Sequence, residues 1–504
     1  MSRPGAKSDT PSGFKPRTIV FFHPDLGIGG AERLIVDAAV GLQDLGHKVT
    51  IFTSHCDPRH CFEEARDGTL DVRVRGNTVF PATILNRFHI LLAILRQIHL
   101  VLAIGLFGDE LYSLKPEVFM VDQLSACVPL LRWLYPKKQR TLFYCHFPDQ
   151  LLAKRDEGGL LGVLKKVYRY PFDWFEGWSM DASDHIVCNS KFSKSMSQSV
   201  FPTLDRQFGV IYPCVDAKTS GHIDQEKLWG GRYKILLSIN RFERKKDIGL
   251  AIRAYSRVSE EERKNSRLIL AGGYDLRVAE NVSHHNELVQ MTDEAGLKHA
   301  TAKTVPTALA IPEDIQVLFL LSVPEAFKAT LLENATLLLY TPKNEHFGIV
   351  PVEAMKYGVP VLASNTGGPL ETILDGKTGW LRDVDKDEEW AYIVRKVLHA
   401  FSDTRRAEMG AAARKRVQEN FTKEIMAEQL NAEITKMTEE RRAPFIERES
   451  VIMAIGLAGT FIAALLAIVL RTAFAMDPRS TEFIRVDRSK RTSGDFAMPV
   501  MGGA

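Results

Sequence analysis

Two glutamates, Glu345 and Glu353, lie eight positions apart in the segment TPKNEHFGIVPVEAM. Gly348 between them lets the backbone approach a ligand closely, and Pro351 suits the first turn of a helix, on which we expect Glu353. A carboxylate there can accept two hydrogen bonds from a ribose diol, and Glu345 on the preceding loop can reach the hydroxyls of a sugar. The simpler interpretation is a solvated Glu345 and a Glu353 that only complements the helix dipole. Two glutamates alone would favour that simpler interpretation.

Cations and backbone amides at the same edge strengthen the case for a ligand site. The amides of Phe347, Gly348 and Ile349 should face the crevice at the carboxyl ends of the strands, where open α/β sheets bind their ligands. The segment SINRFERKKD places Arg241 and Lys246 on another loop that leads from a strand to a helix. A diphosphate needs fixed cations, and arginine's planar fork with a lysine point charge supplies them without a metal.

Two glycine pairs and one histidine complete the set of candidate residues. Gly367 and Gly368 follow a predicted strand in SNTGGPLE, and their amides should be free to meet phosphate. Gly29 and Gly30 follow the first strand in HPDLGIGGAER and offer a similar approach, which by itself is weak evidence. His146 ends a strand in FYCHFPDQLL and could touch a transferring sugar or an acceptor hydroxyl, although a buried structural histidine explains it equally well.

Metals, dinucleotides and nucleic acids are not indicated as partners. The aspartates Asp383, Asp385 and Asp387 lack the spacing of a calcium loop and lie just before a helix, where aspartate is a common cap. The first glycine pair lacks the G-x-G-x-x-G spacing, which disfavours NAD. A formal net charge of +3 is too small to argue for nucleic acid. The six cysteines show no zinc-like spacing, so we expect reduced thiols in a cytosolic compartment.

The elements that must position these residues are short strands separated by longer helical patterns, which indicates parallel sheets. At 504 residues the chain exceeds the ~250–300 residues of a single core, so two domains are expected. The predicted fold class is α/β, with Rossmann-like domains at residues 18–214 and 232–447 that face a central crevice and are joined by a polar linker at 215–231. Strands are predicted at residues 18–22, 48–53, 118–121, 141–145, 185–188, 209–212, 234–239, 267–271, 316–320, 337–340 and 360–363.

The two ends of the chain are expected to lie outside these domains. Residues 1–17 are polar and rich in Pro, Gly and Ser, which is typical of a disordered lead-in. Residues 451–470, VIMAIGLAGTFIAALLAIVL, carry no charge and match the ~20 residues of a transmembrane helix, and a polar tail follows at 471–504. Arginines flank this span on both sides, so the positive-inside rule leaves its orientation open.

A further apolar segment, residues 88–107, lies in the first domain. Arg96, Gln97 and His99 interrupt it, which argues against a membrane span. We expect a helix packed against the sheet, ahead of an in-plane helix that rests on a membrane or guides a lipid tail.

The pair Glu345 and Glu353, the pair Arg241 and Lys246, and the Gly29 turn together resemble the family 4 retaining glycosyltransferases, over about residues 18–437. That resemblance implies the GT-B fold. More closely, GGAERLIVDAA, YCHFPDQLL, SINRFERKKD and NEHFGIVPVEAM resemble the eukaryotic alpha-1,3/1,6-mannosyltransferases of dolichol-linked oligosaccharide assembly.

This resemblance implies GDP-mannose as the donor and Man1GlcNAc2-diphosphodolichol as the acceptor. Two mannoses would be added in succession, giving Man3GlcNAc2-diphosphodolichol, at the cytosolic face of the endoplasmic reticulum membrane. The resemblance implies that Glu345 holds the donor sugar, Glu353 the ribose and His146 the sugar or acceptor, with Arg241 and Lys246 at the departing diphosphate. It implies neither a metal nor another cofactor, and it admits other glycosyltransferases of the pathway as partners.

Three alternatives stay open at this point. One is another GT-B transferase that uses UDP-N-acetylglucosamine or makes alpha-1,2-mannosyl links. The second is a catalytically silent membrane subunit that scaffolds a glycosylation complex, although the intact pairs Glu345/Glu353 and Arg241/Lys246 argue against loss of activity. The third is a nucleotide-sugar epimerase, which is disfavoured because it would not need a membrane anchor.

Overall fold

The computed structural model describes residues 15–84, 88–152, 159–204, 206–216 and 227–443. The described part before residue 216 forms a seven-stranded parallel sheet with the strand order β3-β2-β1-β4-β5-β6-β7. Its strands are β1 (Thr18–Asp25), β2 (Lys48–His55), β3 (Asp71–Val74), β4 (Val118–Asp122), β5 (Arg140–Cys145), β6 (His185–Cys188) and β7 (Phe208–Val210). The helices are α1 (Gly30–Asp44), α2 (His89–Gly105), α3 (Glu110–Leu114), α4 (Val128–Leu134), α5 (Asp149–Leu152), α6 (Gly159–Asp181) and α7 (Lys191–Val200).

The described part after residue 227 forms a second seven-stranded parallel sheet, with the order β10-β11-β9-β8-β12-β13-β14. Its strands are β8 (Lys234–Ile239), β9 (Ser266–Gly272), β10 (His299–Ala302), β11 (Val317–Leu321), β12 (Ala335–Tyr340), β13 (Val361–Ser364) and β14 (Gly379–Arg382). The helices are α8 (Gly249–Ser256), α9 (Glu260–Arg263), α10 (Ala279–Glu294), α11 (Val305–Leu309), α12 (Glu325–Asn334), α13 (Ile349–Lys356), α14 (Pro369–Thr372), α15 (Asp387–Arg395), α16 (Asp403–Asn420) and α17 (Lys423–Glu439).

The predicted strands are all present, within a few residues at each end. Three strands were not predicted: β3, β10 and β14. Each of them is an edge strand, with one neighbouring strand in its sheet. A central parallel strand is covered on both faces and reads as a continuous apolar run, as in the buried LLSI of β8. The sequences DVRV and HATA of β3 and β10 are mostly half-buried or exposed, so they carry no such run.

The last described helix, α17, packs against the first domain and not the second. Its apolar residues Met426, Leu430 and Ile434 belong to the core cluster that α1 and β1 form. A side chain at Gly41 of α1 would be 2.8 Å from the Cβ of Ala427, which explains why glycine allows these helices to approach so closely. An amphipathic pattern indicates a helix without indicating which sheet the helix covers, and the bounds of the second domain, residues 232–447, stay a prediction.

The apolar segment 88–107 forms α2, most of whose residues are buried, as expected for a helix packed in the domain. Two of its polar residues, Arg96 and Gln97, are buried as well and have partners. Arg96 pairs with Asp25 at 3.0 Å, and Gln97 donates to the carbonyl of Leu124 and accepts from the amide of Cys127. These bonds anchor α2 to the loops after β1 and β4.

Among the described residues, no helix is both long and apolar enough to cross a membrane. The predicted transmembrane helix at 451–470 and the polar tail at 471–504 lie outside the described residues, as do residues 1–14 of the lead-in and 217–226 of the linker. The transmembrane helix stays a prediction.

Candidate functional site

Three loops of the second domain meet at the carboxyl ends of its central strands. The loops follow β8, β12 and β13, and these strands are neighbours in the sheet. The ammonium of Lys246, after β8, donates to the carboxylate of Glu345, after β12. The amide of Gly368, after β13, donates to the carbonyl of Glu345 at 2.7 Å. Glu345 is therefore the residue through which all three loops are joined.

Glu345 is held in its charged form by its surroundings. Burial alone would raise the pKa of Glu345, but the charge of Lys246 and, to a smaller extent, the Tyr340 hydroxyl outweigh burial and lower that pKa below its ordinary value. Lys246 itself is fixed further by the hydroxyl of Thr341, which donates to the Lys246 carbonyl at 2.7 Å. The pair is therefore an ion pair at neutral pH, in which Lys246 already has a counter-charge.

Glu353 lies on the second turn of α13, and the expectation of the first turn was wrong. The helix begins at Ile349, two residues before Pro351, because Gly348 takes the left-handed backbone conformation that starts it. One oxygen of Glu353, Oε1, accepts from Lys328 of α12 at 2.7 Å. The other, Oε2, is buried and accepts no hydrogen bond from any residue that the structure describes.

An unpaired buried carboxylate oxygen is costly, on the order of 1–3 kcal/mol. A ligand hydroxyl that donates to Oε2 of Glu353 would remove this cost. Lys328 is a cation beside that carboxylate: burial alone would lower the pKa of Lys328, but Glu353 and Glu325 outweigh burial and raise it. The arrangement is that of a charged acceptor that keeps one oxygen for a hydroxyl donor.

The segment between the two glutamates is shaped by Gly348 and Phe347. Gly348 has φ +83°, and a Cβ there would be 3.1 Å from the ring of Tyr340, so only glycine fits without strain. The Phe347 ring is buried, with its centroid 5.7 Å from that of Tyr212 and 5.8 Å from that of Phe421. Phe347 can therefore contact a ligand through its backbone and not its ring. Two residues later, Ile349 begins α13.

Of the two glycine amides after β13 that were predicted to be free for phosphate, the one at Gly368 has a protein partner. The Gly368 amide is not free, because it donates to Glu345. A Cβ at Gly368 would collide with the backbone of Phe347, and one at Gly367, where φ is +69°, would be 2.5 Å from the Glu345 carbonyl oxygen. These two glycines let the loops after β12 and β13 pack against each other, which positions Glu345.

The glycine pair of the first domain lies at the start of α1, as predicted. Gly29 is the residue before the helix and has extended backbone, with φ −166°. A Cβ there would collide with the carboxylate of Glu32, whereas a Cβ at Gly30 would meet no described atom within 4 Å. An anion could approach the backbone at Gly30 more readily than at Gly29, where Glu32 would repel it.

Arg241 is the most accessible of the candidate cations. Its side chain is 64% exposed, and its guanidinium lies 3.1 Å from the Glu243 carboxylate. An exposed pair of this kind is weak, about 0–1 kcal/mol, so it does not prevent the guanidinium from binding a stronger anion.

His146 lies at the end of β5 and is part of a hydrogen-bonded group of three side chains. Its Nε2 is 2.8 Å from Oδ1 of Asp122, which ends β4. The other oxygen of Asp122, Oδ2, is 2.8 Å from Nδ1 of His23 on β1. The order β1-β4-β5 in the sheet brings the three residues together.

The two domains contact each other beside these residues. Phe147, next to His146, stacks on His346, next to Glu345, with ring centroids 3.8 Å apart and an interplanar angle of 8°. The hydroxyl of Ser190 donates to the His346 carbonyl at 2.5 Å. Burial lowers the pKa of His346 to about 4, so this stacked imidazole is neutral at neutral pH.

Two of the three aspartates at residues 383–387 have cationic partners. Asp385 accepts from Lys343 at 2.8 Å, and Asp387, the first residue of α15, accepts from Arg253 at 3.0 Å. The backbone amide of Asp385 donates to the Asp383 side chain. Whether the reaction depends on a metal stays a prediction to be tested.

Four residues of the site were not predicted: Asp122, His23, Lys328 and Tyr340. Each lies in or next to a predicted strand or in a helix, where an isolated polar residue is hard to separate from ordinary structure. The signal for Asp122 is its place directly after the predicted strand at 118–121, which is the same kind of position that drew attention to His146. Lys328 has no such signal, because its role depends on α12 lying beside α13.

Two family models match the chain: Glycosyltransferase Family 4 over residues 28–219 and Glycosyl transferases group 1 over residues 221–416. The chain is 51% identical over 464 residues to the alpha-1,3/1,6-mannosyltransferase alg-2 of Neurospora crassa, covering 90% of this chain and 97% of the relative. It is 45% identical over 441 residues to the alpha-1,3/1,6-mannosyltransferase ALG2 of Debaryomyces hansenii, covering 82% and 90%. The solved sucrose-phosphate synthase of Thermosynechococcus elongatus superimposes with a TM-score of 0.64 at 17% identity, over 84% of this chain and 99% of that one, and so shares the fold.

Proposed function

The chain belongs to the family of alpha-1,3/1,6-mannosyltransferases, and we propose on that basis that it transfers mannose from GDP-mannose to Man1GlcNAc2-diphosphodolichol. A second transfer to the product gives Man3GlcNAc2-diphosphodolichol. The observation that carries the proposal is the charged Glu345–Lys246 pair together with Glu353, whose buried Oε2 has no hydrogen-bond partner among the described residues.

In this proposal, Glu353 binds the donor ribose. A ribose diol can donate to the buried Oε2, while Lys328 donates to the other oxygen, Oε1. The nucleotide is then held at the start of α13, where the backbone at Phe347, Gly348 and Ile349 lies near the diphosphate and the helix N-terminus favours negative charge.

Glu345 and Lys246 act at the reacting end of the donor. Glu345 accepts from hydroxyls of the mannose, and Lys246 and Arg241 stabilise the charge that develops on the departing diphosphate, which is the main catalytic contribution. The acceptor hydroxyl forms the new bond to the anomeric carbon on the face from which the diphosphate leaves, and the hydroxyl proton passes to the departing diphosphate. Configuration is retained without a covalent nucleophile on the protein.

The first domain is proposed to bind the acceptor. His146 lies at the end of β5 with its side chain 18% exposed, next to the stacked Phe147 and His346 that join the two domains. It is therefore placed to contact the transferring sugar or the acceptor hydroxyl. The lipid-linked acceptor requires a membrane, and we assign the catalytic domains to the cytosolic side of the endoplasmic reticulum, with the span at 451–470 as anchor. The six free cysteines support a reducing compartment.

The experiment that tests the proposal is a comparison of two sugar donors. The purified full-length protein in detergent is incubated with lipid-linked Man1GlcNAc2 and with radiolabelled GDP-mannose or radiolabelled UDP-N-acetylglucosamine. We expect label to enter the lipid fraction from GDP-mannose and not from UDP-N-acetylglucosamine. Transfer from UDP-N-acetylglucosamine alone, or from neither donor by a folded protein, would contradict the proposal.

A further inference from the structure

Asp122 is an entirely buried carboxylate at the carboxyl edge of the first sheet, and both of its oxygens are engaged by histidines. Oδ1 accepts from His146 Nε2 and Oδ2 from His23 Nδ1, each at 2.8 Å. The side chains of Asp122 and His23 are 0% exposed, while that of His146 is 18% exposed. The group therefore runs from the interior of the domain outward, with His146 as its accessible end.

These contacts fix which nitrogen of each imidazole carries a hydrogen. An ionised carboxylate only accepts hydrogen bonds, so His146 must present an N–H at Nε2 and His23 an N–H at Nδ1. The remaining nitrogen of His146, Nδ1, is not held by Asp122 and stays available for another contact. His23 Nε2 is buried and has no hydrogen-bond partner among the described residues, so His23 acts inward, on Asp122, and not on a ligand.

We propose that Asp122 is a positioning residue for mannose transfer: it holds the His146 ring by Nε2 so that Nδ1 faces the substrates, and His23 holds Asp122 in place. The inference rests on the proposed function, in which His146 contacts the transferring sugar or the acceptor. Asp122 and His23 themselves touch neither substrate. The arrangement matches the general one in which a carboxylate orients a functional imidazole and stabilises its charged form.

The charge of the group depends on the same contacts. Burial alone would lower the pKa of His146, but the charge of Asp122 and the bond to it outweigh burial and raise that pKa. Burial alone would raise the pKa of Asp122, but His146 and then His23 lower it. Protonated His146 presents Nδ1 as a donor to a substrate oxygen. The rate of mannose transfer should therefore fall as the pH rises through the raised pKa of His146.

Other groups face His146 from the elements around it. Glu32 of α1 also raises the pKa of His146, although less than Asp122 does. The ring of Tyr144 on β5 lies 5.2 Å from the His146 ring, centroid to centroid. His346, from the loop after β12, is neutral at neutral pH. Of the acidic groups that act on His146, Asp122 is the one in direct contact, so its removal should have the largest effect.

The test is a double-mutant cycle on the full-length protein with GDP-mannose and lipid-linked Man1GlcNAc2. Asp122→Asn keeps the shape but cannot accept from both imidazoles, and we expect kcat to fall about tenfold to a hundredfold, as for a misplaced functional group, with little change in KM. In the His146→Ala background the same substitution should cause little further loss. Equal losses in both backgrounds would show a merely structural role and overturn the inference, as would full activity of Asp122→Asn.

The pH profile gives an independent measurement. In wild type, the alkaline fall of kcat/KM should report His146, and in Asp122→Asn this fall should move to lower pH. An unchanged profile would overturn the inference. Asp184→Asn is the matched control: Asp184 is buried in the same domain, binds Arg442 at 3.0 Å and lies just before β6, at the opposite edge of the sheet, so its loss should lower stability and leave the profile unchanged.

A second pair of variants serves if Asp122→Asn does not fold. His23→Asn keeps an N–H near the position of Nδ1 and should retain most activity, whereas His23→Ala should lose activity as Asp122→Asn does. Equal activity of the two His23 variants would contradict the proposal that His23 holds Asp122 in place. Failure of the proposed function gives a different result, namely full activity of His146→Ala or no mannose transfer by the wild-type protein.

Discussion

Replacing Glu345 should affect stability and turnover through different contacts. Glu345→Ala leaves the Lys246 ammonium, whose side chain is 13% exposed, without its counter-charge. Breaking a fully buried ion pair costs about 3–5 kcal/mol, and the partial exposure of both side chains reduces the expected loss of unfolding free energy to about 2–3 kcal/mol. Glu345→Gln keeps an acceptor for Lys246, so it should lose only about 1 kcal/mol.

Both variants lose the charged acceptor for the mannose hydroxyls. Removing one preorganised group from such a site lowers kcat roughly 10²–10³-fold. Glu345→Gln is therefore the informative variant, because it should be nearly as stable as wild type and yet as inactive as Glu345→Ala. Initial rates at saturating GDP-mannose measure kcat, and urea denaturation measures the unfolding free energy.

The control for these measurements is Glu388→Gln, which removes an exposed glutamate that is paired with Arg257 at 3.3 Å. It should change neither quantity, because exposed ion pairs contribute little. Near wild-type turnover in folded Glu345→Gln would contradict the role of Glu345 in transfer, and a Glu345→Ala protein as stable as Glu345→Gln would contradict the role of the ion pair in stability.

The ion pair between Lys246 and Glu345 should also make the unfolding free energy depend on pH. The pKa of Glu345 is lowered in the folded protein, against burial, by Lys246. A lowered carboxylate pKa contributes stability above the ordinary glutamate value of 4.5 and loses it as the pH falls through the folded value. Wild type should therefore lose more unfolding free energy than Glu345→Gln between about pH 5 and pH 3.

Three further predictions concern the donor, metals and the membrane. Glu353→Gln should raise the KM for GDP-mannose about tenfold or more with a smaller effect on kcat, because a charge-assisted bond contributes about 1.5–3 kcal/mol; an unchanged KM in steady-state kinetics would remove Glu353 from the ribose site. Mannose transfer should persist in excess chelator, and a complete loss that added metal reverses would show that a metal is needed. Deletion from Val451 onward should release most of the protein into the supernatant after a high-salt wash of membranes, and a truncated protein that stays fully bound would show that another surface embeds in the bilayer.

The central strands could be predicted from the sequence because burial on both faces gives each of them a continuous apolar run. The edge strands β3, β10 and β14 could not, because edge positions tolerate the polar residues of DVRV, HATA and GWLR. The placement of α17 on the first domain depends on packing between parts of the chain far apart in sequence, for which an amphipathic pattern carries no information.

Site residues could be predicted where each one simply follows a strand. Contacts between site residues could not, because they depend on the order of the strands in the sheet. Glu345 and Lys246 each follow a strand, so a common edge could be expected, but their pairing depends on β8 lying next to β12. Asp122 reaches both His23 and His146 only because β4 lies between β1 and β5. Gly368 shows the converse error, since a glycine after a strand indicates close approach without indicating whether a ligand or another loop approaches.

The structure of the product lipid tests the proposed mannose transfer most directly. Wild-type protein is incubated with excess GDP-mannose and lipid-linked Man1GlcNAc2, and the oligosaccharide is released, weighed by mass spectrometry over time and digested with linkage-specific mannosidases. We expect the successive addition of two hexoses, one alpha-1,3-linked and one alpha-1,6-linked, and both additions should slow together in Glu345→Gln because Glu345 is proposed to act in both transfers. Addition of alpha-1,2-linked mannose, or loss of only one of the two linkages in that variant, would contradict this expectation.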